Sequence, residues 1–388
     1  MSRIYLDWAA SAPPFKDIMD QAATIAGQYY GNPSSLHAEG RSAEGILSES
    51  RRRFAVAVGV PQSALFFTSG GTEANNMVLS SLLNRSKPGE LVVSAIEHSS
   101  VYEPAVHLEA HGVPVRWVPA GSDGKVSPAR IAQVLSKDTS MVAVMHVNNE
   151  TGAIQPIAEI AHILRENVRG SGRRIHLHCD GVQALGKIPV DYGASGVDSA
   201  AFSAHKIGGP RGVGALYLRS PLPMLFRGGG QEDSVRPGTE NVPGIWAMAE
   251  AAERAVQDYE ARTAHVLALR TKLVSGVSAI SGARLIPAEA AGEQGFSPYI
   301  LSVAFPPLPG EVLVRIMNDS GFAISTGSAC ASKGHKERRI LMNMGMSDET
   351  ARSALRISIG VGTTEEEIDR FVFALSQEVL TWNMPARA

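Results

Sequence analysis

Short apolar runs alternate with amphipathic helical patterns between about residues 60 and 220 of the chain. The apolar runs that predict strands are 91–96, 141–147, 175–179, 197–202 and 213–218. The helical patterns that lie between them are 72–83, 128–135 and 157–168. Continuous apolar runs of this length are typical of strands that are covered on both faces. The alternation therefore predicts an α/β fold, in which a mostly parallel sheet carries helices on both sides.

The pattern changes after about residue 240. Residues 242–277 form one long helical pattern that could join two domains, and a shorter α+β pattern follows it. The last helix is well marked, because Thr364 and Glu367 form a capping-box sequence ahead of apolar residues at helical spacing. We predict a large domain over residues 1–255 and a small domain over residues 256–388. Residues 1–15 are a candidate segment for packing on the small domain.

Composition narrows the classes of function. The 388 residues include 36 basic and 38 acidic side chains, so the net charge of −2 gives no electrostatic reason to expect nucleic acid or a membrane surface as a partner. Apolar stretches stay well short of the roughly 18 residues that a membrane span needs, and the N-terminus does not read as a signal peptide. The two cysteines, Cys179 and Cys330, are far apart. We therefore expect a cytoplasmic protein without a disulfide framework.

Two polar tracts follow predicted strands, and they are the most informative feature of the sequence. Asp180 follows one strand, and Ser203, His205 and Lys206 follow the next. Parallel α/β sheets form ligand sites at such strand ends. There a lysine can form a Schiff base with an aldehyde cofactor, a carboxylate can hold a pyridine nitrogen protonated, and hydroxyl and imidazole groups can bind phosphate. The tracts predict a pyridoxal 5'-phosphate site, although a surface lysine beside a sheet-end histidine is the plain alternative.

Three further motifs could complete such a site, and each also has an ordinary structural explanation. Gly71 and Thr72 open a predicted helix, whose N–H groups either bind phosphate or are simply capped. His98 at a strand end could stack on a flat ring or be a buried structural histidine. Asn149 could bond a ring hydroxyl or a substrate carboxylate, or it could only favour a turn.

Two reactive or charged side chains lie near the C-terminus. Cys330 lies in a loop of small residues, and a basic tract follows it at residues 333–339. Nearby positive charge lowers the pKa of a thiol, which favours a nucleophile over an incidental cysteine, whereas Cys179 lies in an apolar strand. Arg356 could clamp a substrate carboxylate, with a surface ion pair as the alternative. The long polar stretch 228–241 indicates a function or a subunit contact.

In this order the motifs resemble those of the cysteine desulfurases, in the class V branch of the fold-type I pyridoxal-phosphate enzymes. The similarity runs from residues 5–7 through 31–35 to 363–368. It implies a large domain with a mostly parallel seven-stranded sheet and a smaller α+β C-terminal domain. It also implies the removal of sulfur from L-cysteine, with L-alanine released and a persulfide left on Cys330. A sulfur-acceptor protein would receive the sulfur, for iron–sulfur cluster assembly or tRNA thiolation.

The resemblance implies a role for each site residue. Lys206, His98 and Cys330 are catalytic: Lys206 holds the cofactor and moves protons, His98 stacks on the ring, and Cys330 attacks the substrate sulfur. The residues implied to bind the cofactor are Gly71, Thr72, His98, Asn149, Asp180, Gln183, Ser203, His205, Lys206 and Thr239. Thr239 would reach in from the other subunit of a homodimer. Asn149 and Arg356 would bind the substrate carboxylate, and no metal ligand is implied.

Other functions remain open at this point. A selenocysteine lyase, or another class V lyase or aminotransferase, is the alternative among enzymes, and a cofactor-binding regulator without turnover is the alternative outside them. The combination of Lys206, Asp180, Cys330 and Arg356 argues against a regulator, and an aminotransferase would not need Cys330. Two features depart from the family: the tract after Cys330 is unusually basic, and the chain ends at Ala388 soon after the last helix. Docking to a scaffold protein is therefore left open.

Overall fold

A computed structural model describes residues 3–171, 174–292, 294–327 and 338–383 of the chain. The helices within these ranges are α1 (Lys16–Gln28), α2 (Ala38–Val58), α3 (Gly71–Ser80), α4 (Ser99–Ala110), α5 (Pro128–Val134), α6 (Ile157–Ser171), α7 (Val242–Gln257), α8 (Tyr259–Ser278), α9 (Gly310–Asp319), α10 (Arg339–Asn343), α11 (Asp348–Arg352) and α12 (Glu365–Asn383). The strands are β1 (Ile4–Tyr5), β2 (Leu65–Thr68), β3 (Glu90–Ser94), β4 (Val115–Val118), β5 (Thr139–Ala143), β6 (His176–Asp180), β7 (Ser199–Ser203), β8 (Gly214–Leu218), β9 (Arg284–Leu285), β10 (Ile300–Ala304), β11 (Phe322–Ala323) and β12 (Ala354–Ser358).

A seven-stranded sheet forms the centre of the larger part of the molecule. Its strand order is β2-β8-β7-β6-β5-β3-β4, and β8 alone runs antiparallel to its neighbours. The predicted apolar runs correspond to β3, β5, β6, β7 and β8, whose residues are almost all buried. The predicted fold class, with its mostly parallel seven-stranded sheet, is confirmed.

The register of β6 and β7 places the two informative tracts side by side. The strands are parallel, and Asp180 at the end of β6 pairs with Ala201 of β7. Ser203 ends β7, and a short 3₁₀ turn carries the chain on to Lys206. Because both strands end at the same edge of the sheet, the side chains that follow them face a common crevice.

Aromatic packing fixes β7 beneath that crevice. The ring of Phe202 lies edge-on to Phe54 of α2, with 5.7 Å between centroids, and edge-on to Tyr192, with 5.1 Å between centroids. All three rings are buried. Burying a large apolar side chain contributes about 1.5–3 kcal/mol, so this cluster holds the strand that leads to Lys206 firmly in place.

The long helical pattern 242–277 divides into two helices at Asp258, where α7 ends and α8 begins. Aspartate is a poor residue for a helix interior, because its side chain competes for backbone hydrogen bonds. Buried residues of α7 such as Ile245 and Met248 belong to the core beneath the seven-stranded sheet. Buried residues of α8 such as Leu269 and Leu273 instead pack with α12 and strand β10. The predicted boundary at residue 255 falls in the last turn of α7, and the division into domains stays a prediction.

The C-terminal part is built on a three-stranded antiparallel sheet of order β12-β10-β9. The N-terminal segment packs on it, since β1 pairs with β11 and Ile4 and Leu6 lie in the same hydrophobic cluster. Helix α12 begins with the predicted capping box: the N–H of Glu367 donates to Thr364 Oγ1, and the N–H of Thr364 donates to the Glu367 carboxylate. Among the described residues, none of the helices combines the length and the apolar character needed to cross a lipid bilayer.

Candidate active site

A cavity of about 630 Å³ lies where β6 and β7 end, which is a volume typical of small-ligand sites. The predicted site residues that line it are Gly71, Thr72, His98, Asn149, Asp180, Gln183, Ser203, His205, Lys206 and Arg356. These residues come from six different strand ends, helix starts and loops. The structure therefore brings together most of the side chains that the sequence motifs indicated.

Two predicted site residues are not placed in the cavity. Thr239 is exposed and does not line the cavity of this single chain. Cys330 lies outside the described residues. Gly327, which is the last described residue before it, does line the cavity.

The amine of Lys206 is held at the cavity wall by the N-terminal segment. Its Nζ donates hydrogen bonds to the carbonyl oxygens of Ala9 at 2.7 Å and of Ala10 at 2.9 Å. That segment is itself tied to the C-terminal sheet, since the N–H of Ala9 donates to Ser358 Oγ at 2.9 Å. The position of the lysine thus depends on both parts of the molecule, which the local sequence motif does not reveal.

The carboxylate of Asp180 accepts hydrogen bonds through both of its oxygens. Oδ2 accepts from Asn75 Nδ2 at 2.9 Å, and Oδ1 accepts from the N–H of Val182 at 3.0 Å. Asn75 lies on α3 and is fully buried. These two bonds fix the orientation of the carboxylate, which suits a partner for a protonated ring nitrogen.

A corner suited to an anion forms where α3 begins beside the end of β7. A Cβ atom on Gly71 would lie 2.5 Å from a methyl carbon of Val182, so only glycine fits there. The N–H groups and the dipole at the start of a helix attract a phosphate. His205 lies nearby with Nδ1 3.3 Å from Ser11 Oγ, and burial lowers the pKa of its imidazole to about 4, which leaves the ring neutral.

The guanidinium of Arg356 on β12 donates three hydrogen bonds through its two Nη atoms. Its Nη2 donates to Asp7 Oδ1 at 2.8 Å, and its Nη1 donates to the carbonyl oxygens of Asn149 at 3.0 Å and Gly327 at 3.2 Å. Its Nε is buried without a hydrogen-bond partner among the described residues, and so is Oδ1 of Asn149. Buried polar groups are almost always paired, so these two unpaired atoms at one cavity indicate a polar ligand.

Two buried carboxyl groups at the cavity were missed by the sequence analysis. Burial raises the pKa of Glu97 to about 8 and that of Glu150 to about 7. Both line the cavity, and each directly precedes or follows a predicted site residue. From the sequence alone, an acidic residue in a polar turn is expected to be exposed to solvent. Its burial here is caused by segments distant in sequence, which leave no local signal.

Two basic residues were missed as well. Arg339 at the start of α10 lies over the ring of Tyr102 at 3.8 Å and donates to the carbonyl oxygens of Ala95 and Glu97. Lys187, which is buried, donates to Gln183 Oε1 at 2.5 Å. Gln183 Nε2 in turn donates to the carbonyl oxygen of Ala9 at 2.8 Å, so the orientation of its amide is fixed. Residues 182–187 form turns rather than a helix, so the spacing of four residues between Gln183 and Lys187 gave no helical signal for this pair.

Lysine, aspartate and histidine side chains at the strand ends of a mostly parallel sheet define an α/β enzyme with a deep ligand site. The family model described as aminotransferase class-V matches residues 4–371. A curated relative named cysteine desulfurase IscS, from Methanosarcina thermophila, is 34% identical over 95% of this chain and 89% of its own length. A solved structure titled NifS-like protein is 34% identical, with a TM-score of 0.89, over 98% of this chain and all of that one. Another, titled SspA in complex with cysteine, is 28% identical, with a TM-score of 0.79, over 93% of this chain and 100% of that one.

The chain belongs to the aminotransferase class-V family, and the resemblance seen in the sequence is confirmed. Enzymes of this family use pyridoxal phosphate. The residues at the cavity fit that group: the unpaired oxygen of Asn149, the glycine-lined start of α3 and the carboxylate of Asp180 are the features that it requires.

Proposed function

We propose that the protein is a pyridoxal-phosphate-dependent cysteine desulfurase. Its substrate would be L-cysteine and its products L-alanine and a persulfide on Cys330. The observation that carries the proposal is the single cavity in which Lys206 and Asp180 lie at adjacent strand ends, opposite unpaired polar atoms of Asn149 and Arg356. A relative named as a cysteine desulfurase and a solved relative in complex with cysteine support the same chemistry.

The residues of the cavity divide naturally between the parts of the cofactor. Lys206 supplies the amine that carries it, Asp180 the acceptor for its ring nitrogen, and His98 a neutral imidazole, because burial lowers the pKa of that ring. Gln183 and Asn149 would form hydrogen bonds on the side of the ring that carries the hydroxyl group. The residues that would bind the phosphate are Gly71, Thr72, Ser203 and His205. When bound, the cofactor withdraws electrons from the substrate Cα carbon.

The chain's own residues would bind the substrate, move protons and take up sulfur. Arg356 and Asn149 hold the substrate carboxylate, and the amine of Lys206 removes and returns protons. The thiolate of Cys330 attacks the substrate sulfur, so that an S–S bond forms while the Cβ–S bond of the substrate breaks. The Cβ carbon takes a proton, and L-alanine leaves. A sulfur-acceptor protein would then remove the outer sulfur from Cys330.

Turnover of free L-cysteine tests this proposal. Purified enzyme with pyridoxal phosphate and a reducing thiol should release sulfide and L-alanine in equal amounts. An enzyme that binds the cofactor but releases neither product from L-cysteine would contradict the assignment.

We also infer a homodimer in which Thr239 completes the neighbouring site. Thr239 lies in the polar stretch 228–241 and is exposed, and the apolar side chains of Leu225 and Phe226 just before that stretch are exposed too.

The backbone of the stretch 228–241 is strained, because Glu232, Asp233 and Ser234 all have φ between 47° and 63°. The carboxylate of Glu232 anchors it through two hydrogen bonds of 2.7 Å from Arg51 and one of 2.7 Å from the N–H of Phe67. Strained backbone of this kind is often found at functional sites, where the surrounding structure holds a segment in one fixed conformation. Sedimentation of the active enzyme as a monomer would exclude this arrangement.

Replacing Arg356 with lysine is expected to lower kcat/KM for L-cysteine sharply. The guanidinium reaches Asp7, Asn149 and Gly327 at once and keeps Nε for a ligand, whereas one ammonium cannot reproduce this planar fork. Disrupting a buried charged pair costs about 2–5 kcal/mol, which corresponds to a loss of roughly thirtyfold or more. Steady-state kinetics measures the loss, with Arg352→Lys as the control, because Arg352 is exposed and its ion pair with Asp348 lies at the surface. Equal kcat/KM values for wild type and Arg356→Lys would remove Arg356 from the substrate site.

A further inference from the structure

A chain of hydrogen bonds leads from His98 and Ser100, which line the cavity, past Asp180 into the buried strands β6 and β7. Its members are His98, Ser100, Asn75, His178, Ser199 and His176. Asn75, His178 and Ser199 are fully buried. Buried networks of this kind hold their members in fixed orientations when every group is paired.

The carboxylate of Asp180 sets the direction of the hydrogen bonds. Asn75 Nδ2 donates to Asp180 Oδ2 at 2.9 Å and gives its other hydrogen to Ser100 Oγ at 2.8 Å. The opposite orientation of the amide would place its oxygen against the carboxylate, and two acceptors repel each other. Oδ1 of Asn75 must therefore accept, so that Nε2 of His178, 2.9 Å away, carries a hydrogen.

The protonation state of His178 determines the direction of the hydrogen bonds from His178 through Ser199 to His176. Burial lowers the pKa of its imidazole to about 3, so the ring is neutral and Nδ1 carries no hydrogen. Nδ1 therefore accepts from the hydroxyl of Ser199 at 2.8 Å. The oxygen of Ser199 in turn accepts from Nε2 of His176 at 2.8 Å. Each group has one role, and none can be reversed without leaving a buried donor or acceptor unpaired.

The other part of the chain runs from Asn75 through Ser100 to His98, which lines the cavity. Ser100 Oγ accepts from Asn75, so its own hydrogen goes to His98 Nδ1 at 2.8 Å. The same Nδ1 accepts from the N–H of Ser100 at 3.1 Å. A nitrogen that accepts two hydrogen bonds carries no hydrogen, so the hydrogen of the neutral ring lies on Nε2.

We propose that His178 and Asn75 are positioning residues, which hold Asp180 as a carboxylate that only accepts hydrogen bonds and which fix the tautomer of His98. The inference rests on the proposed function, because Asp180 and His98 are assigned there to the ring of pyridoxal phosphate. Asp180 would accept a hydrogen bond from a protonated ring nitrogen only while its carboxylate is correctly oriented. The charged and titratable side chains that line the same cavity, besides His98 and Asp180, are Glu97, Tyr102, Glu103, Glu150, His205, Lys206, Arg339 and Arg356.

A pair of variants at His178 separates positioning from simple packing. His178→Gln keeps an amide N–H that can reach Oδ1 of Asn75, whereas the shorter side chain in His178→Asn cannot. Cys179→Ala is the matched control, because Cys179 is the next residue, is equally buried and packs in the core cluster beneath the sheet. We measure the thermal unfolding of each apoenzyme, its affinity for pyridoxal phosphate, and the pH midpoint of the visible absorbance of each holoenzyme.

His178→Asn is expected to weaken pyridoxal phosphate binding about tenfold, the effect of losing a hydrogen bond in a charged network. The pH midpoint of its absorbance should rise. A ring nitrogen that carries less positive charge repels the proton on the neighbouring Lys206 nitrogen less, so that proton is retained to a higher pH. His178→Gln should restore both values to near those of the wild type. Cys179→Ala should lower the unfolding temperature and leave both values unchanged.

The possible results separate this inference from the proposed function. If His178→Asn bound and titrated like the wild type, the inference would be wrong while the desulfurase assignment stood. If the wild type itself neither bound pyridoxal phosphate nor released sulfide, both would fall. Should the His178 variants not fold, Asn75→Leu tests the same point with a side chain of similar shape and no hydrogen-bond donor. It removes the donor to Asp180, so cofactor affinity and a midpoint like those of the wild type would also overturn the inference.

Discussion

Replacing Lys206 with alanine is expected to remove the visible absorbance of the purified holoenzyme and to abolish sulfide release from L-cysteine. The amine of Lys206 is the one that the described lining of the cavity presents, and the carbonyl oxygens of Ala9 and Ala10 hold it there. Without it the cofactor loses its covalent attachment, and the substrate Cα carbon loses its proton acceptor. Absorbance spectra after adding pyridoxal phosphate to the apoenzyme measure the first effect, and a sulfide assay measures the second.

Borohydride reduction followed by peptide mapping checks which lysine is modified. In the wild type the label should lie on Lys206, and Lys272→Ala, a change at a surface ion pair on α8, should give the same result. A reducible adduct that survived in Lys206→Ala would show that another amine carries the cofactor. Lys187 would then be the residue to examine, since it is buried close to Gln183.

The centre of the fold is readable from the sequence because fully buried parallel strands are uninterrupted apolar runs. Strands β3, β5, β6, β7 and β8 all have this character. Strands β2 and β4 were not predicted. Each has only four residues, and β4 lies at the sheet edge with half-exposed side chains, so neither gives a clear period.

The cavity lining was largely predictable for a related reason. Ligand sites in parallel sheets form at strand ends, so polar residues directly after apolar runs are candidates from position alone. The contacts that complete the site join distant segments, as in the pair of Arg356 with Asp7 and the bond from Lys206 to Ala9. Such pairings leave no local pattern. The same holds for the buried carboxyl groups of Glu97 and Glu150, whose burial depends on the whole fold.

Asn75 lies in the helix that the motif at Gly71 and Thr72 predicts, yet nothing in the sequence distinguishes Asn75 as part of the site. Its function as a hydrogen-bond donor to Asp180 depends on α3 crossing the end of β6, which the order of elements alone does not specify. His178 is similar, because a histidine two residues before Asp180 on a buried strand reads as packing until Asn75 is seen beside it. Residues that support a site from behind are therefore the ones that pattern analysis tends to miss.

Cys330→Ala is expected to leave cofactor binding intact and to reduce sulfide release to the background level. Cys330 follows Gly327, which lines the cavity, and Glu150 packs against that glycine with its carboxyl carbon 3.3 Å from a Cβ built there. In the proposed function, the thiolate of Cys330 attacks the sulfur of the bound substrate. Removing it eliminates the nucleophile but none of the described groups that hold the cofactor. The variant should still show the change in visible absorbance when L-cysteine is added.

Cys179→Ala provides the matched comparison for that experiment. Cys179 is fully buried in β6, and burial raises the pKa of its thiol well above the ordinary value, so it stays protonated and unreactive. Its replacement should preserve desulfuration and lower only stability, because it removes packing from the core. Mass spectrometry after brief exposure to L-cysteine should find one added sulfur on Cys330 in the wild type and in Cys179→Ala, and none in Cys330→Ala. Sulfur found on Cys179, or normal turnover by Cys330→Ala, would show that the sulfur follows a different route.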